Sequence, residues 1–300
     1  MRGLSRRLAD THFQVGADDD DLFIFTHRHV FPRLAKNLKR PVVGLLTDYG
    51  TRDTYVSEVK AVILKHRPDA VIVDITHEVD AYNVLQGAFL LKLAAKSFPS
   101  NTVFLAVVDP TVGSERDAIA VRTAKGKTFI GPDTGLLYPA SSAEGISKIY
   151  KIKVDRIPSV SPTFHGRDVF AEFAGLLISG KKWRRLVEVK RKMVELEIPQ
   201  PMWGEDFVEA TVLHVDRFGN VILNIGGGLP AGWVKVDVKI AGKVFRNAKV
   251  ATYYSQAAEG EFVLLSGGTG YLELAVNKGN AAKDLGLHPN DKLLISKSRS

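Results

Sequence analysis

The chain has 300 residues, 45% hydrophobic and 25% charged, with no cysteine and a formal net charge of +8. Those proportions describe a globular protein of one large or two ordinary domains. The missing cysteines exclude disulfides, thiolate nucleophiles and cysteine metal sites.

The positive charge is local. Lys181 to Lys192 holds seven Lys or Arg against one Glu, residues 1–40 hold eight Lys or Arg against five Asp, and the remainder is about neutral. A solvated helix or linker face accounts for the Lys181–Lys192 run, and no nucleic-acid partner is expected. The longest apolar stretch, Ala88 to Ala95, is broken by Lys92, so no membrane span is expected either. Arginines open the chain without a signal-peptide core behind them, which makes the cytoplasm the expected location.

Residues 1–40 read as an N-terminal extension: four consecutive aspartates (Asp18 to Asp21), a short apolar run (Leu22 to Phe25), then a basic stretch. His27 and His29 have no third ligand near them and read as surface histidines. From Val42 the pattern alternates. Val42 to Leu46 is a short apolar strand ending at Asp48-Tyr49-Gly50. Tyr55, Val59, Val62 and Ile63 recur at helical spacing through His66. Ala70 to Ile75 is a second strand, Tyr82 to Phe98 a helix, and Thr102 to Val108 a third strand ending at Asp109. Ala118 to Arg122 and Thr128 to Ile130 are short strands before the Gly131-Pro132-Asp133 turn, and Phe170, Phe173, Leu176 and Leu177 mark a helix. This alternation predicts an α/β fold with a central, mostly parallel sheet flanked by helices. Ligands of such sheets sit beyond the carboxyl ends of the strands, where Asp48 and Asp109 are expected to share a crevice. Lys181 to Pro201 reads as a linker. After Phe207, short alternating runs (209–215, 221–225, 234–240, 262–265, 271–276 and 292–295) separated by Gly, Asn or Pro predict an all-β sandwich or barrel. The expected division is an extension over 1–40, an α/β domain over 41–200 and an antiparallel β-barrel over 201–300.

Five motifs carry polar groups beside glycine at strand ends or turns, where scaffolds place reactive groups. They are Thr47-Asp48-Tyr49-Gly50, Asp109-Pro110-Thr111-Val112-Gly113-Ser114-Glu115-Arg116, Gly131-Pro132-Asp133-Thr134-Gly135, Phe164-His165-Gly166-Arg167-Asp168 and Asp216-Arg217-Phe218-Gly219-Asn220. An ionised Asp109 at the end of a buried strand must be paired, and Arg116 can return across the glycine turn to meet it. By itself that pair reads first as a structural one, with His165 in a helix-capping loop. Asp48 is placed to hold ribose hydroxyls or to cap the next helix, with Thr51 and Asp53 as competing caps. Tyr82 is either a packing surface for a ligand or core at a helix start.

In this order the motifs resemble the S-adenosyl-L-methionine hydroxide adenosyltransferases, relatives of the fluorinases and chlorinases. The resemblance covers about Pro41 to Lys297 and departs at Thr111, where glycine is usual, and at Gly268-Thr269, where small polar residues are usual. It implies that Asp109, Arg116 and His165 orient and activate a water, with base character on Asp109 and His165 and electrostatic control from Arg116. It further implies a ribose role for Asp48 and pocket walls from Tyr82 and Phe164. Asp216, Phe218 and Asn220 would hold the methionine end or the adenine. Asp216 would face the methionine ammonium, and backbone near Ala281 would read the adenine edge. Glu273 and Asn277 are lesser candidates, while His77 and the Asp133 turn read as structural. In the halogenating relatives the Asp109 position is not acidic and an insertion follows, so this chain favours water over halide.

The implied reaction is S-adenosyl-L-methionine plus water to adenosine plus methionine, with no metal or redox cofactor. The implied assembly is a homotrimer whose sites lie between subunits. Halide transfer to the same carbon, and a sensor that binds without turnover, are the alternatives.

Overall fold

The computed structural model describes residues 40–240 and 242–298. His27, His29 and the extension lie outside the described residues.

The first half builds one seven-stranded sheet. Strand β1 (Val42–Thr47) leads to α1 (Tyr55–His66), β2 (Val71–Thr76), α2 (Val84–Ala95), β3 (Val103–Val107), β4 (Ala118–Thr123), β5 (Thr128–Pro132), α3 (Tyr138–Ala143) and β6 (Ile146–Ile152). A π-helical turn (Gly166–Ala171) then runs into α4 (Glu172–Ile178), and β7 (Val187–Lys190) closes the edge. The sheet order is β2-β1-β3-β5-β4-β6-β7. Its first four strands are mutually parallel; β4 and β7 run against them, so five of seven strands point one way.

The apolar periodicity decides the layers. Val59 and Ile63 of α1 pack with Phe173 and Ala174 of α4 on one face of the sheet. Ala88, Leu91 and Ala95 of α2 pack with Ala140 of α3 on the other. Helix α2 starts where the Asn83 side chain accepts the Gln86 N–H at 3.1 Å, satisfying one of the free donors of a first turn. Strands β6 and β7 were not foreseen because Lys148 and Lys151 interrupt the apolar residues of β6, and β7 lies inside the charged Lys181–Lys192 run. The Lys181–Lys192 run is therefore partly strand: Lys190 reaches Asp117 at 2.5 Å and Asp133 at 2.7 Å, which ties the sheet edge to the motif turn.

The second half is β8 (Met202–Trp203), β9 (Phe207–Val215), β10 (Val221–Gly226), β11 (Lys235–Ile240), β12 (Lys243–Val250), β13 (Phe262–Ser266), β14 (Tyr271–Val276), α5 (Ala281–Leu285) and β15 (Lys292–Lys297). Pairing of β9 with β10 closes seven strands into a barrel, in the order β10-β14-β13-β12-β11-β15-β9, with β8 added outside on β9. All pairings are antiparallel except a short parallel contact of β12 with β13. Val208, Ala210 and Val212 alternate into the barrel core with Leu223, Leu274 and Ile295. The lysine-rich β12 was again invisible to apolar patterning. The two sheets meet through α2: Phe89 is fully buried, with its ring 5.1 Å from that of Tyr271, and Gln86 Nε2 donates to His214 Nδ1 at 3.1 Å. Among the described residues, no helix is long and apolar enough to cross a membrane.

Candidate active site

The carboxyl ends of β1 and β3 carry Asp48 and Asp109, and the turn into the π-helical segment carries His165. The side chains of Asp109 and Arg116 are buried and face each other squarely. Arg116 Nε donates to both Asp109 oxygens at 3.1 Å, and its Nη2 donates to Oδ2. The same Nη2 lies 2.9 Å from His165 Nδ1. A guanidinium only donates, so Nδ1 must accept, and a neutral His165 then carries its proton on Nε2. Burial, seconded by the Arg116 charge, lowers the His165 pKa, which favours that neutral form. The Phe170 ring, 5.4 Å away, backs the guanidinium. Arg116 is thus held on three sides, and Asp109 and His165 are fixed through it.

The loop bearing His165 is anchored on its own account. Asp168 accepts the Ser161 N–H at 2.9 Å and pairs with Arg167, which reaches Glu58 of α1 at 2.7 Å. Arg167 also lies 4.7 Å from the centre of the Phe164 ring. The π-helical geometry just after His165 widens the first turn, a distortion common at functional sites. Gly166 is required here because a Cβ would lie 2.1 Å from the Tyr49 hydroxyl. Thr111, in the altered turn, places its hydroxyl 3.5 Å from Asp109 Oδ1.

Asp48 accepts the Tyr82 N–H at 3.0 Å instead of capping α1. The competing caps are engaged or unused: Thr51 bonds Glu78, and Thr54 occupies the cap position. Burial pushes the Asp48 carboxyl above its ordinary range, partly offset by the Tyr82 N–H, with the Asp109 charge adding to the rise. Tyr82 is not core. It precedes α2 with φ +67 and is 69% exposed, so the Asp48 bond stabilises a left-handed backbone that presents the ring outward. Phe164 is half-buried in an edge-on cluster with Tyr49 at 6.0 Å and Tyr55 at 5.2 Å. A cavity of about 470 Å³ borders Arg116 and His165 and runs past Lys151 and Lys153 along the rim.

The barrel candidates form a second group. Asp216 accepts the N–H groups of Phe218 at 2.9 Å and Asn220 at 2.8 Å, and the Asn220 amide at 2.9 Å. The carboxylate therefore shapes this turn before it meets any ligand. The turn is tight: Gly219 has φ +85 against the Asn280 side chain, and its carbonyl accepts the Ala282 N–H at 3.0 Å. Ala281 opens α5 beside it, fully buried. Asn220 is buried, whereas Phe218 is 73% exposed. Glu273 is buried and accepts the Tyr254 hydroxyl at 2.8 Å; burial raises its pKa. Asn277 donates to the Ala257 carbonyl at 2.8 Å.

Among the described residues, no hydrogen bond, ion pair or ring contact joins the barrel group to the Asp48–Asp109–His165 group of the same chain. Tyr49 and Tyr254, neither of them singled out in the sequence, lie against these candidates, Tyr49 on Phe164 and Tyr254 on Glu273. A phenol beside Asp48 was a legible signal for Tyr49, whereas Tyr254 carried none. His77 is buried with Nδ1 2.9 Å from Thr47 Oγ1, and Asp133 accepts the Val194 N–H at 2.8 Å, both fold-forming contacts.

Comparison with known proteins bears on this geometry. Models of the SAM hydroxide adenosyltransferase N-terminal and C-terminal domains match residues 43–187 and 210–294. A protein of Methanocaldococcus jannaschii named (R)-S-adenosyl-L-methionine hydrolase is 34% identical over 85% of this chain and 95% of its own length. One of the same name from Thermus thermophilus is 36% identical, over 83% of this chain and 96% of its own. A fluorinase of Nocardia brasiliensis is more distant, at 27% identity over 82% of this chain and 93% of its own. The crystal structure of an uncharacterized conserved protein from Thermotoga maritima superposes with a TM-score of 0.77 at 35% identity, covering 85% of this chain and 99% of that one.

Proposed function

This chain belongs to the SAM hydroxide adenosyltransferase family, and we infer that it hydrolyses S-adenosyl-L-methionine to adenosine and L-methionine. The observation that carries the reading is the buried Asp109–Arg116–His165 cluster at the end of the parallel strands, in a chain 34% identical to a named hydrolase. Its relatives are named for the (R) form of the substrate, and we extend that preference to this chain.

The sulfonium is a good leaving group, and water is a poor nucleophile that must lie in line with it across ribose C5′. A new C5′–O bond forms as the C5′–S bond breaks. The bonding pair stays on sulfur as the methionine thioether, and the attacking oxygen sheds one proton. That oxygen becomes strongly acidic during attack, so even the Arg116-paired carboxylate of Asp109 suffices to receive the proton. His165, protonated on Nε2, supports the site as a donor and through its hold on Arg116. Fixing all three groups in advance supplies the near-attack geometry. Asp48 takes the ribose hydroxyls, and Tyr82 and Phe164 wall the pocket. The turn at Asp216, Phe218 and Asn220, with Glu273, Asn277 and Ala281, holds the adenine and methionine ends. No metal or redox cofactor is assigned, and neither nucleic acid nor membrane is a partner in this reading.

The barrel group and the exposed Tyr82 and Phe218 favour a site completed by a neighbouring subunit, and we assign a cytoplasmic homotrimer on that basis and the family resemblance. The division into an extension, an α/β domain and a barrel near residues 40 and 200 belongs to the same reading.

Turnover in ¹⁸O-labelled water tests it, with each sulfonium epimer supplied separately. The expected result is one heavy oxygen in adenosine and none in methionine, from the (R) form. Unlabelled adenosine would refute water attack at C5′.

A further inference from the structure

We propose that the hydroxyl of Tyr49 is a direct contact of the attacking water, accepting one of its hydrogens beside Asp109; this rests on the hydrolase reading above. The phenol is held at the crossing of two site loops. Its backbone follows Asp48, with its N–H on Thr47 Oγ1 at 3.3 Å, and its hydroxyl lies where a Cβ on Gly166, next to His165, would have to be. Edge contacts with Tyr55 at 5.9 Å and Phe164 at 6.0 Å fix the ring plane. Among the described residues, the hydroxyl has no protein hydrogen-bond partner. The residue is half-buried and its oxygen is not sealed from solvent, so the hydroxyl is open to a water. Burial, then the charges of Asp48 and Asp109, push its ionisation well up against an opposing pull from Arg116, so it remains a neutral O–H at working pH.

The chemistry asks for such a group. Water attacks through a lone pair aimed at C5′, opposite sulfur. Acceptors on both hydrogens fix the orientation of the water and turn a lone pair toward that carbon. The Asp109 carboxylate takes one hydrogen and receives that proton as the C5′–O bond forms. The Tyr49 oxygen takes the other and keeps its own proton throughout, so the balance of the reaction is unchanged. The glycine at 166 follows from this arrangement, since any side chain there would expel the phenol.

The test compares steady-state adenosine formation by the full chain with that of Tyr49→Phe and Tyr55→Phe, with thermal melting of each. Tyr49→Phe keeps the ring packing and deletes only the oxygen. One lost hydrogen bond in the transition state predicts about a tenfold fall in kcat with KM and melting unchanged. Tyr55→Phe, which removes a hydroxyl from the neighbouring ring, is expected to match the parent. Gly166→Ala, which displaces the phenol, should fall at least as far. Equal kcat in Tyr49→Phe and the parent overturns the proposal alone. A loss carried by KM, or shared by Tyr55→Phe with a lowered melting point, assigns Tyr49 to packing and also overturns it. If the parent forms no adenosine, the hydrolase reading falls and this proposal with it.

Discussion

The two halves of the candidate site are built on opposite plans. At the sheet, charge is buried and mutually satisfied: Arg116 is locked between Asp109, His165 and Phe170. At the barrel, a turn is knitted by Asp216 while Phe218 projects into solvent. Reaction chemistry needs groups that do not reorganise, so it occupies the rigid pole of a parallel sheet. Recognition tolerates a loop, provided that a second surface closes over it. The contrast assigns rate to the first region and affinity to the second.

Mutations can break that assignment. The largest effect is expected from Asp109→Ala, which removes the proton acceptor and leaves Arg116 buried without its counter-charge. Adenosine formation should fall by about 10³-fold, within the span of positioned acid–base groups. Arg116→Lys should be nearly as severe, because an ammonium cannot bridge both Asp109 oxygens and also reach His165. Phe89→Ala strikes the join between the two regions. A fully buried phenylalanine lost there should cost about 3–5 kcal/mol, read as a lower denaturation midpoint. Phe218→Ala should do the reverse: stability unchanged, since the ring is exposed, and KM raised about tenfold with kcat preserved. A kcat defect in that variant would erase the contrast.

The intersubunit reading sharpens the comparison further. Mixing Asp109→Ala subunits, which lack turnover, with Asn220→Ala subunits, which lack affinity, should restore parent-like turnover at low substrate at roughly a quarter of the sites, by random assembly. No recovery would place both halves within one chain.

The smallest effect is the pH dependence. His165 and His214 both have pKa values lowered chiefly by burial. Each is therefore more readily protonated unfolded than folded. Their contribution to stability is intact above the ordinary histidine value, about 6.5, and is lost as pH falls through the folded values. Activity should follow the same limb, because protonated His165 cannot accept from Arg116. Turnover that rises on acidification would contradict the neutral assignment.

How much was legible in the sequence follows the same division. Strands β1, β3 and β5 are buried on both faces and read as apolar runs. Their ends therefore located Asp48 and Asp109, and the return of Arg116 followed from the need to pair a buried carboxylate. Strands β6, β7 and β12 mix charged residues among their apolar ones and were lost in the charge pattern. Tyr82 was ambiguous because helix periodicity begins beside it; only the positive φ set by the Asp48 bond shows that it faces outward. The Asp216 turn was recognisable from its glycine, but the inward use of its carboxylate depends on backbone geometry that no spacing rule conveys. Glu273 and Tyr254 lie 19 residues apart and meet only through the barrel fold.

The most direct test incubates the pure protein with S-adenosyl-L-methionine, with and without chloride, and separates the products by chromatography beside Asp109→Ala. The account predicts adenosine and methionine in equal amounts, indifferent to chloride and lost in the variant. A chloride-dependent 5′-chloro product, or bound substrate without any product, would contradict it.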